Sequence, residues 1–337
     1  MDKNVVSQLP KFDLHVHLDG SLRPQTVVEL AKELPSEQRF SATFDVAKAV
    51  IPPKSCSLEE YLRAFGITVA LLQTEEALER TAYELCEDAA RENVIYIEIR
   101  YAPLLHLREG LTAEKVVGAV LAGMRRAEKD YPIRTSVILC AMKQEDTARA
   151  EEVARLAATY TESGVVAIDL AGPEKNFPPS LHKRAIEIAR EAGVHVTIHA
   201  GEGCCPEQIK QALDLGAERI GHGVYLYQDP ATERRVAKMG VPLEVCPTSN
   251  LQISGVMDSY ADHPLKRYLD QGIRVTLNTD NRLMSQTDST NELLRVIEAF
   301  SLTSQEVKTI LVNSAEAAFA SASTKAVLRK QVEERFE

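Results

Sequence analysis

The stretch Phe12 to Ser21, FDLHVHLDGS, sets His15 and His17 two residues apart in an otherwise apolar run that ends at Asp19 and Gly20. In an extended strand, residues i and i+2 face the same side, so the two imidazoles converge on one point and offer a pair of neutral nitrogen donors to a metal ion. By itself the pair is equally compatible with hydrogen-bonded core histidines. Much further along, His199, His222 and Asp280 each end a short β-rich run just before a turn containing Gly or Asn. These are five candidate ligands and acid–base groups, and three histidines and one carboxylate suit Zn2+, which accepts nitrogen and oxygen donors and keeps one position for water in catalytic sites.

Residues so far apart meet only if the elements between them form a regular frame. Eight β-rich runs are legible: Phe12 to Leu18, VIYIEIRY (94 to 101), IRTSVILC (133 to 140), GVVAIDLAG (164 to 172), VHVTIHAGE (194 to 202), RIGHG (219 to 223), VPLEVCP (241 to 247) and IRVTLNTDN (273 to 281). Between them lie segments such as TAEKVVGAVLAGMRRAEKDY and LHKRAIEIAREAG, whose apolar residues recur at helical spacing. Eight βα units predict an α/β fold, a (β/α)8 TIM-type barrel, in which functional side chains sit at the C-terminal ends of the strands. A doubly wound sheet would show a Gly-rich phosphate turn after the first strand, and LDGSLRP is not one. Residues 22 to 93 are expected to form a helical insertion over the barrel mouth, with further helices at the C-terminus. Residues 1 to 337 are expected to make a single domain, since no repeat or Pro/Ser linker divides them.

Composition narrows the partners. The 39 basic and 49 acidic side chains give a net charge of −10, which disfavours nucleic acid and anionic membranes because phosphate binding needs a cationic footprint. No apolar run approaches the roughly 20 residues that span a bilayer, and the N-terminus carries no apolar leader, so a cytoplasmic location is expected. The six cysteines show no C-x-x-C pairing, which points to neither a disulfide framework nor a thiolate zinc site. A small, uncharged substrate fits this balance, and no obligate protein partner is implied.

LHVHLDGSLRP, DLAGPE, HAGE, GHG, EVCPTSN and LNTDN occur in this order across nearly the whole chain, and the series resembles the adenosine deaminase family. The resemblance implies a zinc-dependent barrel, with one Zn2+ per chain, that hydrolytically deaminates adenosine and 2′-deoxyadenosine to inosine and ammonia in purine salvage. It implies His15, His17, His199 and Asp280 as zinc ligands, Glu202 as proton shuttle and His222 beside the attacking water. The chemistry agrees with those roles. Displacing an aromatic amine needs a nucleophile at neutral pH, and zinc lowers the pKa of water to about 7. It also needs a proton at purine N1, which a buried Glu202 with a raised pKa would supply. His222 would orient the nucleophile, accept its proton and stabilise developing negative charge, and Asp280 would both ligate and hold the water. Outside the constellation, Glu202 reads as a solvated loop carboxylate and Asp280 as a turn residue or helix cap.

On the substrate side the resemblance implies Asp19 at the ribose 5′-hydroxyl, although Asp19 and Gly20 also make an ordinary turn. It implies the Gly172 backbone at purine N3, where the absence of a side chain permits close approach. Leu58, Tyr61, Leu62 and Phe65 form one helical stripe that is either plain core or, by similarity, an apolar lid over the purine. The resemblance implies that His17, as well as binding the metal, faces the substrate. Many members of the family carry two adjacent aspartates where this chain has Asp280 and Asn281; an Asn amide can donate to purine N7 at any ordinary pH. CPTSN (246 to 250) is expected to shape the pocket wall without a catalytic part. Adenine, a 5′-modified adenosine or an adenine nucleotide are alternative substrates, and a zinc-binding protein without catalysis is a rival reading that Glu202 and His222 argue against. A binuclear amidohydrolase would carry a lysine at the end of strand four, where VVAIDLAG has none.

Overall fold

A computed structural model describes residues 1–34, 45–253 and 257–336. Its eight strands are β1 (Lys11–His17), β2 (Val94–Tyr101), β3 (Arg134–Met142), β4 (Val165–Ala171), β5 (His195–Ala200), β6 (Arg219–His222), β7 (Leu243–Val245) and β8 (Val275–Leu277). Each pairs in parallel with the next, in sequence order. The ring closes between β8 and β1: Leu14 N–H donates to Asn278 Oδ1 (2.8 Å), Asp280 N–H to His15 O (2.8 Å) and His17 N–H to Asp280 O (2.7 Å). This is the (β/α)8 barrel the sequence predicts.

Strands shielded on both faces read as apolar runs, and β1 is buried at all seven positions. The barrel interior, however, is ionic. Arg219 pairs with Glu98 (2.5 Å) and Glu244 (2.6 Å), and Arg100 with Glu244 (2.8 Å) and Asp169 (3.0 Å). All five side chains are buried. The Arg219 guanidinium also lies 3.7 Å from the centre of the Phe319 ring.

Between β1 and β2 run the helices Pro24–Glu33, Val46–Ala49, Leu58–Leu71 and Glu75–Arg91; residues 35 to 44 of that stretch lie outside the described residues. Helix Leu58–Leu71 starts in a capping box in which Ser57 Oγ accepts from Glu60 N–H and Glu60 accepts from Ser57 N–H. Its apolar stripe packs with Cys56, Ile253 and Met284. Helix Glu75–Arg91 instead packs against helix Ala113–Asp130 and β2. After β8 come Ser289–Phe300, Ser304–Ala317 and Ala322–Arg335. Among the described residues, no helix is long and apolar enough to cross a membrane.

Candidate active site

The strand ends deliver the side chains through strained backbone. His222 (φ +64°) and Asp280 (φ +59°) both adopt the left-handed conformation, which costs a non-glycine residue about 1–3 kcal/mol and persists where the surroundings over-determine it. Here β6 and the β8–β1 seam do so. Asp280 is bonded through its backbone to both His15 and His17, so barrel closure and ligand placement are one feature. Gly221, between these elements, is fixed by packing: a Cβ there would lie 3.1 Å from both His15 Cε1 and His199 Cα.

The donor atoms of His15, His199, His222 and Asp280 lie within 4.8 Å of one another. His17 Nε2 is 3.3 Å from His199 Nε2 and 3.5 Å from Asp280 Oδ1, and His15 Nε2 is also 3.5 Å from Asp280 Oδ1. All five groups named from the sequence are therefore brought together. His15 Nε2 is buried with no hydrogen-bond partner, while its Nδ1 meets Glu244 Oε2 at 2.8 Å. His199 Nδ1 likewise lies 2.8 Å from Asp169 Oδ2. At His15 this hydrogen bond holds the proton on Nδ1 and turns the Nε2 lone pair toward the cluster, the usual support of a metal-binding imidazole; at His199 the charge of the Asp169 carboxylate favours a proton on the same nitrogen. Nitrogen and carboxylate donors of this kind fit zinc.

Glu202 is buried, with Oε1 3.4 Å from His222 Nε2. Burial, reinforced by the nearby Asp280 and Glu174 charges, raises its pKa well above the carboxylate range, the direction that a carboxyl acting as a proton carrier requires. Its turn is anchored by Glu174, whose carboxylate accepts from the backbone N–H groups of Glu202 (3.2 Å), Gly203 (3.2 Å) and Cys204 (3.3 Å). Lys143 Nζ lies 3.7 Å from Glu174 and donates to His199 O (2.6 Å).

Above the cluster opens a cavity of about 910 Å3 counting its mouth, within the range of small-molecule sites. Leu58, Tyr61, Leu62 and Phe65 all line it, as do His17, Asp19, Gly172 and Asn281. Asp19 Oδ1 is buried without a partner, and burial pushes its pKa up to about 7; such a group is satisfied by a ligand hydroxyl. Gly172 has φ +102°, and a Cβ would fall 2.4 Å from Gln144 Oε1. Asn281 Nδ2 donates to Tyr61 Oη (3.0 Å), which meets Ser285 Oγ (3.1 Å), so the Asn281 amide at the cavity wall is held by helix Leu58–Leu71.

CPTSN does not line the cavity and stands behind it instead. Ser249 Oγ donates to Asp280 Oδ2, and Asn250 Nδ2 lies 3.0 Å from His222 Nδ1. Sequence reasoning missed these supports along with Glu174, Asp169 and Glu244. A polar residue inside a strand-end motif was the available signal. Four cysteines (Cys56, Cys86, Cys140, Cys246) are buried, whereas Cys204 is half-buried and Cys205 exposed on the Glu202 turn.

Residues 10 to 335 match the family model described as adenosine deaminase. The chain belongs to the adenosine deaminase family. It is 42% identical over 320 residues to an adenosine deaminase of Clostridium kluyveri, covering 94% of this chain and 91% of that protein. Among solved structures, the adenine deaminase of Arthrobacter aurescens superposes with a TM-score of 0.89 at 28% identity, covering 97% and 98% of the two chains. An amidohydrolase of Burkholderia ambifaria with bound zinc gives 0.90 at 26% identity, over 99% and 92%. The chain is thus a hydrolytic deaminase, and its fold and motif order carry the family's purine chemistry.

Proposed function

We propose that the substrate is adenosine, together with 2′-deoxyadenosine, and that the products are inosine and ammonia. One Zn2+, held by His15, His17, His199 and Asp280, would act as a Lewis acid and provide a water of pKa about 7. The observation that carries the reading is the combination, in one cavity, of a buried proton-holding Glu202 next to the donor cluster with an unpartnered Asp19 carboxyl.

In this reading Glu202 protonates purine N1 as the nucleophile adds at C6, which removes the cost of placing negative charge on the ring. His222 and Asp280 face the reacting oxygen and orient it. The Gly172 N–H meets purine N3, and Asn281 donates its second amide hydrogen to N7. Asp19 takes a ribose hydroxyl, and Leu58, Tyr61, Leu62 and Phe65 cover the base and exclude water.

A nucleotide substrate is the second reading. Arg108 is the only cationic side chain among the described residues that line the cavity, whereas phosphate recognition usually draws on several donors. Ammonia release from adenosine, 2′-deoxyadenosine, adenine and AMP separates the readings. The two nucleosides should give the highest kcat/KM. Preference for AMP or adenine would overturn the assignment, and no release from any of the four would overturn the substrate class.

A further inference from the structure

The direction of one buried hydrogen-bond chain sets where the proton of His222 resides. A backbone N–H can only donate, and Leu265 N–H donates to His263 Nδ1 (3.1 Å). His263 is buried, and burial lowers its pKa to about 3, so its single proton is on Nε2. That nitrogen lies 3.2 Å from Asn250 Oδ1, which therefore accepts. The Asn250 amide cannot be turned over, because Nδ2 would then face the His263 Nε2–H. With Oδ1 committed to His263, Asn250 Nδ2 donates to His222 Nδ1 at 3.0 Å. His222 Nδ1 is thus an acceptor, and a neutral imidazole that accepts at Nδ1 carries its proton on Nε2. Every member of the chain is buried.

We infer that Asn250 and His263 are positioning residues that hold His222 as a hydrogen-bond donor toward the reacting centre, excluding it from the metal-ligand set and from the role of proton acceptor. The contrast with its neighbours is internal to the site. His15 and His199 meet carboxylates at Nδ1 and so present lone pairs at Nε2, whereas His222 meets an amide N–H and presents N–H. Distance alone groups His222 with His15, His199 and Asp280; hydrogen-bond direction removes it and leaves His17 as the third imidazole ligand. The Nε2–H points to the side where Glu202 Oε1 stands at 3.4 Å, and it can stabilise negative charge developing on the oxygen that adds to the ring. The expected proton transfer from the nucleophile to His222 is replaced by donation from it: the nucleophile adds as hydroxide, its first proton already lost to solvent, and Glu202, deprotonated once N1 has taken its proton, carries the remaining hydroxyl proton to the departing ammonia.

The inference about catalysis rests on the deaminase reading, but its first test does not. In zinc-loaded protein labelled with 15N-histidine, long-range proton–nitrogen correlations distinguish protonated from unprotonated ring nitrogens, and the His222 signals are assigned by their loss in His222→Gln. His222 should show a bare Nδ1 and a protonated Nε2. A proton on Nδ1, or on both nitrogens, overturns the inference, and this spectrum requires no Asn250 variant to fold. Asn250→Asp then replaces the donor by an acceptor and should reverse the tautomer. Zinc content should be unchanged and KM altered by less than about threefold, while kcat falls about 10²- to 10³-fold, as for loss of one oxyanion donor. A reversed tautomer with undiminished kcat would refute the catalytic half. An absence of deamination by a wild type whose His222 carries Nε2–H would instead refute the substrate reading and leave the positioning intact.

Discussion

Arg100 lies beneath the donor cluster and bonds two of the carboxylates that orient it, so Arg100→Met tests whether the ionic interior serves the site. The guanidinium donates to Asp169 Oδ2 (3.0 Å), Glu244 Oε2 (2.8 Å) and Leu14 O (2.6 Å), and none of the three side chains has measurable exposure. Glu244 would keep Arg219 and Thr197. Asp169 would keep His199 and the weak Cys140 thiol but lose its one guanidinium. Removing one partner of a buried ion pair costs about 3–5 kcal/mol, because the other charge stays buried. Unfolding entropy of about 2.1 cal/mol/K per residue over 337 residues is about 0.7 kcal/mol/K, so the apparent Tm should fall by about 4 to 7 °C. Glu244 and Asp169 are also the Nδ1 partners of His15 and His199, and disturbing such supports lowers metal affinity about 10- to 100-fold. Differential scanning calorimetry and zinc loss to a chromogenic chelator measure the two effects. A Tm within about 1 °C of wild type, with unchanged zinc retention, would show that the network neither stabilises the barrel nor orients the ligands.

Glu202→Gln keeps every proposed ligand but cannot carry a proton. Zinc should stay while kcat falls about 10²- to 10⁴-fold, and a variant retaining more than half the wild-type kcat would remove Glu202 from the acid role. In the proposed mechanism the protonated form of Glu202 is the active one, and its pKa is raised, so wild-type activity should be present below that pKa and decline as pH rises through it; a flat alkaline profile contradicts this. His15→Ala and His17→Ala should lower zinc content and activity together, and elemental analysis finding two metals per chain in the wild type would refute a single site. Glu174→Gln exchanges a charged acceptor of three backbone N–H groups for a neutral one, at about 1 kcal/mol per bond, so kcat should fall about tenfold or more with zinc unchanged; unaltered kcat would make Glu174 purely structural. Asn281→Ala should abolish most of the wild-type discrimination against 7-deazaadenosine, expected at about 1 to 3 kcal/mol, and a coupling near zero in the four-way cycle of kcat/KM would place Asn281 away from N7.

The barrel and the donor cluster were legible because both follow from local rules. Apolar runs between amphipathic segments mark βα units, two-residue spacing aligns His15 with His17, and strand ends collect His199, His222 and Asp280. The supporting residues were visible only as anomalies. Glu98, Arg100, Asp169, Arg219 and Glu244 are charges set within the runs read as strands, one or two to a run, and a charge inside a buried strand requires a partner. Which partner depends on barrel register, and register is not written in any one strand. The same limit hid Asn250. Its amide is oriented by His263, thirteen residues away in sequence, and only that contact decides which end meets His222.

Counting the buried charges explains why an ionic interior suits this site. Glu98, Asp169 and Glu244 oppose Arg100 and Arg219, leaving one negative charge in excess beneath the histidines. Asp280 adds a second at the level of the donors. Glu202 is counted as neutral, the state toward which burial and the neighbouring carboxylates drive it. Two uncompensated negative charges in so buried a region are costly alone, and one divalent cation among the imidazole lone pairs would neutralise them. The same arithmetic disfavours a cationic His222: a further positive charge there would compete with that ion, and the amide donor at Nδ1 keeps the ring neutral. In the proposed site, the carboxylates that turn the Nε2 lone pairs of His15 and His199 inward and the amide that makes His222 a donor thus belong to one charge design, in which the cation would take the positive role and the ring beside it would supply a hydrogen bond.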